Sequence, residues 1–279
     1  MTDLVVRRLL VDLKTPFAAD WNGGDAFRTA LFNALSFSFP AGEQFFIDAV
    51  KLGMARLPED LAPAERERFE AERRGFIGQE ATHRRIHALF NEQLAAQGLA
   101  NGWERRILKR RQRLEGVDER AWLGVTAATE HLTAVLADFL LAHHATVLAG
   151  AEPRLRDLWL WHAAEELEHR SVVFDLYRAT GGNEKWRLRL FNVVTFHFCC
   201  DLLRQTVHNL HLQGQLWRWR TWQSGWATLV GPEGLVPRCW RPWKAYRAAS
   251  FHPAQADGAA GERWLAAHSE LAPPVRAAT

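Results

Sequence analysis

Sulfur chemistry is scarce in this chain. Its three cysteines, Cys199, Cys200 and Cys239, match no zinc-type spacing, and their odd number excludes a complete intrachain disulfide framework. A reducing, cytoplasmic setting is therefore expected. Long apolar runs are missing too. In the apolar-rich stretch 186–212 only 11 positions (190–200) separate Arg189 from Asp201, well short of the roughly 20 a membrane span needs. Residues Met1–Arg8 contain no apolar leader core, so no secretory signal is expected. Neither sign of charge dominates: 35 Lys and Arg against 32 Asp and Glu leave +3 and a pI of about 9.0, which does not call for nucleic acid. No Ser/His/Asp or Cys/His nucleophile pattern stands out. What remains is 48% hydrophobic and 24% charged, an ordinary globular composition. At 279 residues it suits one large domain or a bundle with appendages.

The informative residues are carboxylates and histidines. Glu166 and His169 stand three apart in a helix-compatible stretch and so share a face, and Glu80 and His83 repeat that pair upstream. Each pair follows a single glutamate at matched distance: Glu43 lies 37 positions before Glu80 (80 − 43), and Glu130 lies 36 before Glu166 (166 − 130). Two helices giving one Glu each and two giving Glu-x-x-His form the ligand set of a dinuclear carboxylate site in a four-helix bundle. Four carboxylates balance two divalent cations, and oxygen and imidazole donors suit iron or manganese, with zinc as an alternative. The expected metal ligands are Glu43, Glu80, His83, Glu130, Glu166 and His169. His87, one turn beyond His83, is a candidate seventh ligand or an outer histidine; its counterpart in the second half is Val173. His162, Asp175 and Tyr177 read as outer hydrogen-bonding partners. Glu165 lies off the ligand face and reads as an outer, surface or salt-bridged group, while Glu168 and His131 point elsewhere.

Residues 1–22 read as an extended arm and 23–182 as the bundle. Its helices are expected near 25–57, broken or kinked by Pro40 and Gly42, then at 64–97, 118–148 and 153–179. A helical extension at 183–254 and a flexible tail at 255–279 follow. The basic run Arg105–Arg113 reads as a solvated face or an anion contact. His197, His208 and His211 form a looser group without metal-like convergence. Trp217-Arg218-Trp219-Arg220-Thr221-Trp222 reads as aromatic packing or as an interfacial anchor.

At Phe39–Phe46, Phe76–His83 and Trp161–His169 the chain resembles a bacterial family labelled "predicted metal-dependent hydrolase", and Phe251-His252-Pro253 is similar to a recurring tail motif there. The resemblance implies a helical, ferritin-like, metal-binding enzyme and runs from the arm to about residue 254. The fold class expected is thus all-α: a ferritin-like four-helix bundle with a dinuclear core site and additional C-terminal helices. Three functions fit it. The first is an oxygen-activating oxidoreductase with two irons, a small apolar organic substrate, O2 and an electron donor. The second is a hydrolase using a metal-activated water. The third is iron storage or detoxification. No nucleic acid, at most peripheral membrane contact, and a homodimer complete the expected partners.

Overall fold

The structure, a computed structural model, describes residues 4–275. It is all-α, with α1 (Ala26–Met54), α2 (Pro63–Ala96), α3 (Gly102–Gln112), α4 (Glu119–Val147), α5 (Pro153–His169), α6 (Val172–Ala179), α7 (Glu184–Leu212), α8 (Trp219–Leu229), α9 (Leu235–Ala245) and α10 (Ala259–Ala267). The ends carry recognisable stops. Asp25 and Asp118 accept backbone N–H bonds at the starts of α1 and α4, and Pro63 and Pro153 open α2 and α5, where a missing N–H costs nothing.

α1 packs on α2 and on α4, α4 packs on α5 and α6, and α2 closes the square against α5 and α6. Two apolar clusters fill the bundle. One gathers Phe90, Leu94, Leu155 and Trp161, the other Phe46, Phe76, Leu123 and Phe174. α7 lies across α1 and α4, with α8 beside it on α1 and α9 on α4. By length and composition α4 is apolar enough to cross a membrane, but 67% of its apolar window is buried inside the protein.

Three local departures from the sequence expectation have physical causes. Pro40 does not break α1, which runs continuously through it. Proline cannot donate to the carbonyl four residues back, and Asn91 Nδ2 donates to that Ser36 carbonyl instead, at 3.0 Å. The fourth bundle helix is in two pieces, because Arg170 and Ser171 form a turn between α5 and α6. The Arg170 guanidinium holds that turn by donating to the carbonyls of Pro253 (3.2 Å) and Ala256 (2.8 Å). The tail is ordered as far as it is described: α10 packs on α5, with Leu265 buried and Gly261 so near Ala164 that a Cβ would lie 2.9 Å from its carbonyl oxygen. The N-terminal arm then pairs with the chain beyond α10, Arg8 N–H bonding Pro273 O (3.0 Å) and Leu10 N–H bonding Leu271 O (2.8 Å). Residues 1–3 and 276–279 lie outside the described residues.

If Asn91 replaces the hydrogen bond that Pro40 removes, Asn91→Ala should cost about 1–3 kcal/mol in urea unfolding. The cost should shrink in a Pro40→Ala background, where residue 40 regains its N–H. Equal costs in both backgrounds would refute the pairing.

Candidate metal centre

Helical period places the site. Glu80 and His83 project from one face of α2, Glu166 and His169 from one face of α5, and Glu43 and Glu130 enter from α1 and α4. All six are buried. Donor atoms of Glu80, His83, Glu166 and His169 lie within 4.8 Å of one another, and so do those of a second group, Glu43, His83 and His162; either could hold a metal ion. His169 Nε2 lies 3.4 Å from Glu80 Oε1 and 3.7 Å from Glu166 Oε1, and His83 Nδ1 lies 3.6 Å from Glu166 Oε1. Glu130 joins from the side, its Oε2 2.8 Å from His169 Nδ1.

The donors fit a cation because they have no other partner. Both oxygens of Glu43 and of Glu80, His83 Nδ1, His162 Nε2, His169 Nε2 and one oxygen each of Glu130 and Glu166 are buried without any hydrogen bond. Leaving one such group unsatisfied costs about 1–3 kcal/mol, and more for a charge. Burial and the neighbouring carboxylates push Glu43 and Glu80 far above the usual carboxylate range. Burial raises Glu130 to about 7, although His169 opposes it. Glu166 is the exception: burial acts against its charge, but the imidazoles of His169, His162 and His83 hold it well below the usual range. His169 is driven up to about 9 in spite of burial, by Glu130 and Glu166. Divalent cations would satisfy all of these atoms together and reverse the repulsion.

His87 and His162 exchange the places expected of them. His87 spends both nitrogens elsewhere, Nδ1 on Ser36 Oγ (2.9 Å) and Nε2 on His162 Nδ1 (2.8 Å), so it does not face the ligand cluster. Ser36 Oγ donates its own proton to Asn91 Oδ1 at 2.7 Å, so His87 Nδ1 must donate to Ser36. Burial keeps His87 neutral by lowering its pKa well below 6.5, so its Nε2 accepts from His162 Nδ1–H. His162 Nε2 lies 3.1 Å from Glu166 Oε1 without a hydrogen bond. With Nδ1 spent on His87, Nε2 is the nitrogen His162 turns toward the ligand cluster.

Asp175 and Tyr177 are not partners of the site. Because the chain turns after His169, Asp175 Oδ1 meets His252 Nε2 at 2.7 Å, and Tyr177 donates its hydroxyl to Asn183 O at 2.9 Å. The supporting groups are instead Glu165 and Arg7. His83 is kept neutral by burial and by its neighbour His162, and its Nε2–H donates to Glu165 Oε2 at 2.9 Å, which turns the bare Nδ1 inward. Glu165 is pushed up to about 8 by burial, against the pull of Arg7. Arg7 Nη1 reaches Glu165 Oε1 at 3.2 Å while its fork grips Glu168 at 2.7 and 3.0 Å. Sequence pattern offered no signal for Arg7, which lies in the arm, 158 positions from Glu165. Edge-on rings fix the imidazoles further: Phe76 on His169 at 5.1 Å and Trp161 on His83 at 4.9 Å. His131 lies on α4 but bonds the Pro242 carbonyl of α9 at 3.1 Å, and neither metal-capable group includes His197, His208 or His211.

Two cavities reach the carboxylates. One of about 70 Å³ touches His162 and Glu166 among Leu31, Phe32 and Phe139. The other, about 320 Å³, runs from Glu43 and Glu166 past Phe46, Ile107, Val194 and Phe198 to a rim carrying Arg110, Arg111 and Arg113. The two share Phe39, Thr133, Glu166 and Phe198.

Fold and site together define a helical-bundle protein with a buried carboxylate–histidine metal centre. The family described as "predicted metal-dependent hydrolase" matches residues 5–257, and the chain belongs to it. No curated protein and no solved structure matches the chain.

If Arg7 holds Glu165, and through it the inward tautomer of His83, Arg7→Ala should weaken metal binding about 10- to 100-fold with helix content unchanged. Competition against a chromophoric chelator measures it; unaltered affinity would remove Arg7 from the site.

Proposed function

We propose that the chain is an oxygen-activating di-iron oxidoreductase acting on a small apolar organic substrate. Its metals are held by Glu43, Glu80, Glu130 and Glu166 with His83, His162 and His169. Two irons bound there supply the reduction of dioxygen that drives oxidation of the substrate. The four carboxylates would balance the cations' charge, with Glu80 contributing from α2 and Glu166 from α5. His169 Nδ1–H donates to Glu130 Oε2 at 2.8 Å, which turns His169 Nε2 toward the metals and leaves Glu130 Oε1 without another partner. Ser36 and His87 orient His162; Arg7 and Glu165 orient His83. Phe39, Phe46 and Phe198 keep water from the carboxylates and align an apolar chain beside Glu43 and Glu166. Such an enzyme requires an electron donor.

The observation that carries this reading is the lining of the cavities. Ester or phosphate hydrolysis needs fixed donors for the developing oxyanion and the leaving group. The hydroxyls near the carboxylates are already committed: Ser38 to Leu35 O, Thr129 to Val125 O and Thr133 to Glu130 O. The family's description favours the second reading, metal-assisted hydrolysis.

Elemental analysis, followed by anaerobic Fe(II) loading and exposure to air, tests the choice. The oxidoreductase should bind about two irons per chain, consume oxygen and show a transient visible absorption. Zinc or manganese at the same stoichiometry with no reaction to air would favour hydrolysis, and shell-sized iron-rich particles would favour storage. Glu80→Ala and Glu166→Ala should each lower metal content; full loading of both variants would overturn the site itself.

A further inference from the structure

Thirteen tryptophans are a heavy load for this chain, and six of them fall between Trp217 and Trp243. Packing does not account for them. α7 packs on α1 and α4, α8 on α1, α9 on α4, and α3 on α1 and α7, so these four helices form one outer layer on one side of the bundle. Its exposed side is aromatic: Trp217 is 91% exposed, Trp219 76%, Trp226 70%, Phe196 64% and Trp240 55%. Along α7, Val193, Phe196, Leu203 and Val207 recur at helical spacing on the outside, opposite the buried Phe191, Leu202 and Thr206. A helix facing water would be polar there.

The same layer is strongly basic. Residues 102–113 and 184–247 hold sixteen Lys and Arg against four Asp and Glu, a net +12; the rest of the chain holds nineteen against twenty-eight, a net −9. The overall +3 conceals this segregation. One of the four acids, Asp201, is buried and already shared by Arg106 (2.6 Å) and Arg110 (2.5 Å), so it does not neutralise the outer face.

We propose that this layer docks the protein peripherally on a bilayer containing anionic phospholipid. Trp217, Trp219, Trp226 and Trp240 lie in the headgroup region, and Arg204, Arg218, Arg220 and Arg241 lie against the phosphates. Tryptophan partitions to that interface because its ring is apolar and its N–H is not. Each basic residue near an anionic surface adds to the attraction. The combination of a charged helix layer and projecting aromatics is that of a surface-lying helix rather than a spanning one. A second copy is a poor occupant, since a twofold contact would press two basic layers together. A nucleic acid would leave Val193, Phe196, Leu203 and Val207 without a use.

Flotation of the full chain with vesicles of phosphatidylcholine and phosphatidylglycerol (3:1), and with phosphatidylcholine alone, tests this. The protein should float with the anionic vesicles and at least about tenfold less with the neutral ones, and high salt should release it. The triple variant Trp217→Ser, Trp219→Ser, Trp226→Ser should lose about tenfold or more of the partition, with helix content and metal content unchanged because all three side chains are exposed. Arg218→Gln with Arg220→Gln should flatten the salt dependence. Failure to float with the anionic vesicles would overturn the proposal. So would equal flotation of the tryptophan variant, or a concentration-dependent dimer in sedimentation that the variant abolishes.

Discussion

Four carboxylates buried within a few ångströms of one another are the constraint on which the rest of this molecule depends. Uncompensated, they would repel each other and forfeit their hydration, a cost that one bundle of ordinary stability could not carry for all of them. The surrounding structure manages that cost in part. His169 is held protonated against Glu130 and Glu166, while Glu43 and Glu80 are driven toward the neutral form. The two apolar clusters above and below the centre supply the burial that keeps the helices together around so polar a middle. Bound divalent cations would resolve the conflict and would couple metal binding to the stability of the bundle.

Much of this was legible in the sequence, because Glu-x-x-His fixes a shared face on any helix and two matched copies fix two. The four bundle helices, their capping Asp25 and Asp118 and their opening Pro63 and Pro153 follow from local chemistry in the same way. Depth was not legible. His87 and His162 each lie one turn from a Glu-x-x-His pair, and periodicity gives both the same direction. What separates them is Ser36, whose carbonyl is freed by Pro40 and whose hydroxyl is aligned by Asn91. Tyr177, eleven residues after Glu166, would share its face on an unbroken helix, whereas Asp175, nine after it, would point the other way. The turn at Arg170 carries Tyr177 away, and the carbonyls that hold that turn lie more than eighty residues downstream. Arg7 is a contact of the same long-range kind.

The cavity and the outer layer bear on one another. Val194, His197 and Phe198 of α7 and Ile107 of α3 line the larger cavity, and these are the helices whose far side is aromatic and basic. The route to Glu43 and Glu166 therefore passes between elements that do not belong to the four-helix bundle. α7 through α9 are in this sense a cover with two distinct surfaces, an inner one facing the carboxylates and an outer one facing the surroundings.

The pairing of the arm with the segment after α10 sets a timetable. Arg7, which steadies Glu165 and so His83, sits between residues that bond to Leu271, Pro273 and Val275. During synthesis the arm emerges before its partners at residues 271–275, so Arg7 cannot be locked in place until α1 to α10 have left the ribosome. Helices α1 to α5 can assemble earlier and bring the glutamates and histidines of the site together without that brace. The centre is thus finished by the closure of a loop that contains all ten helices, and a nascent chain would meet metal ions in a looser site than the one it finally presents.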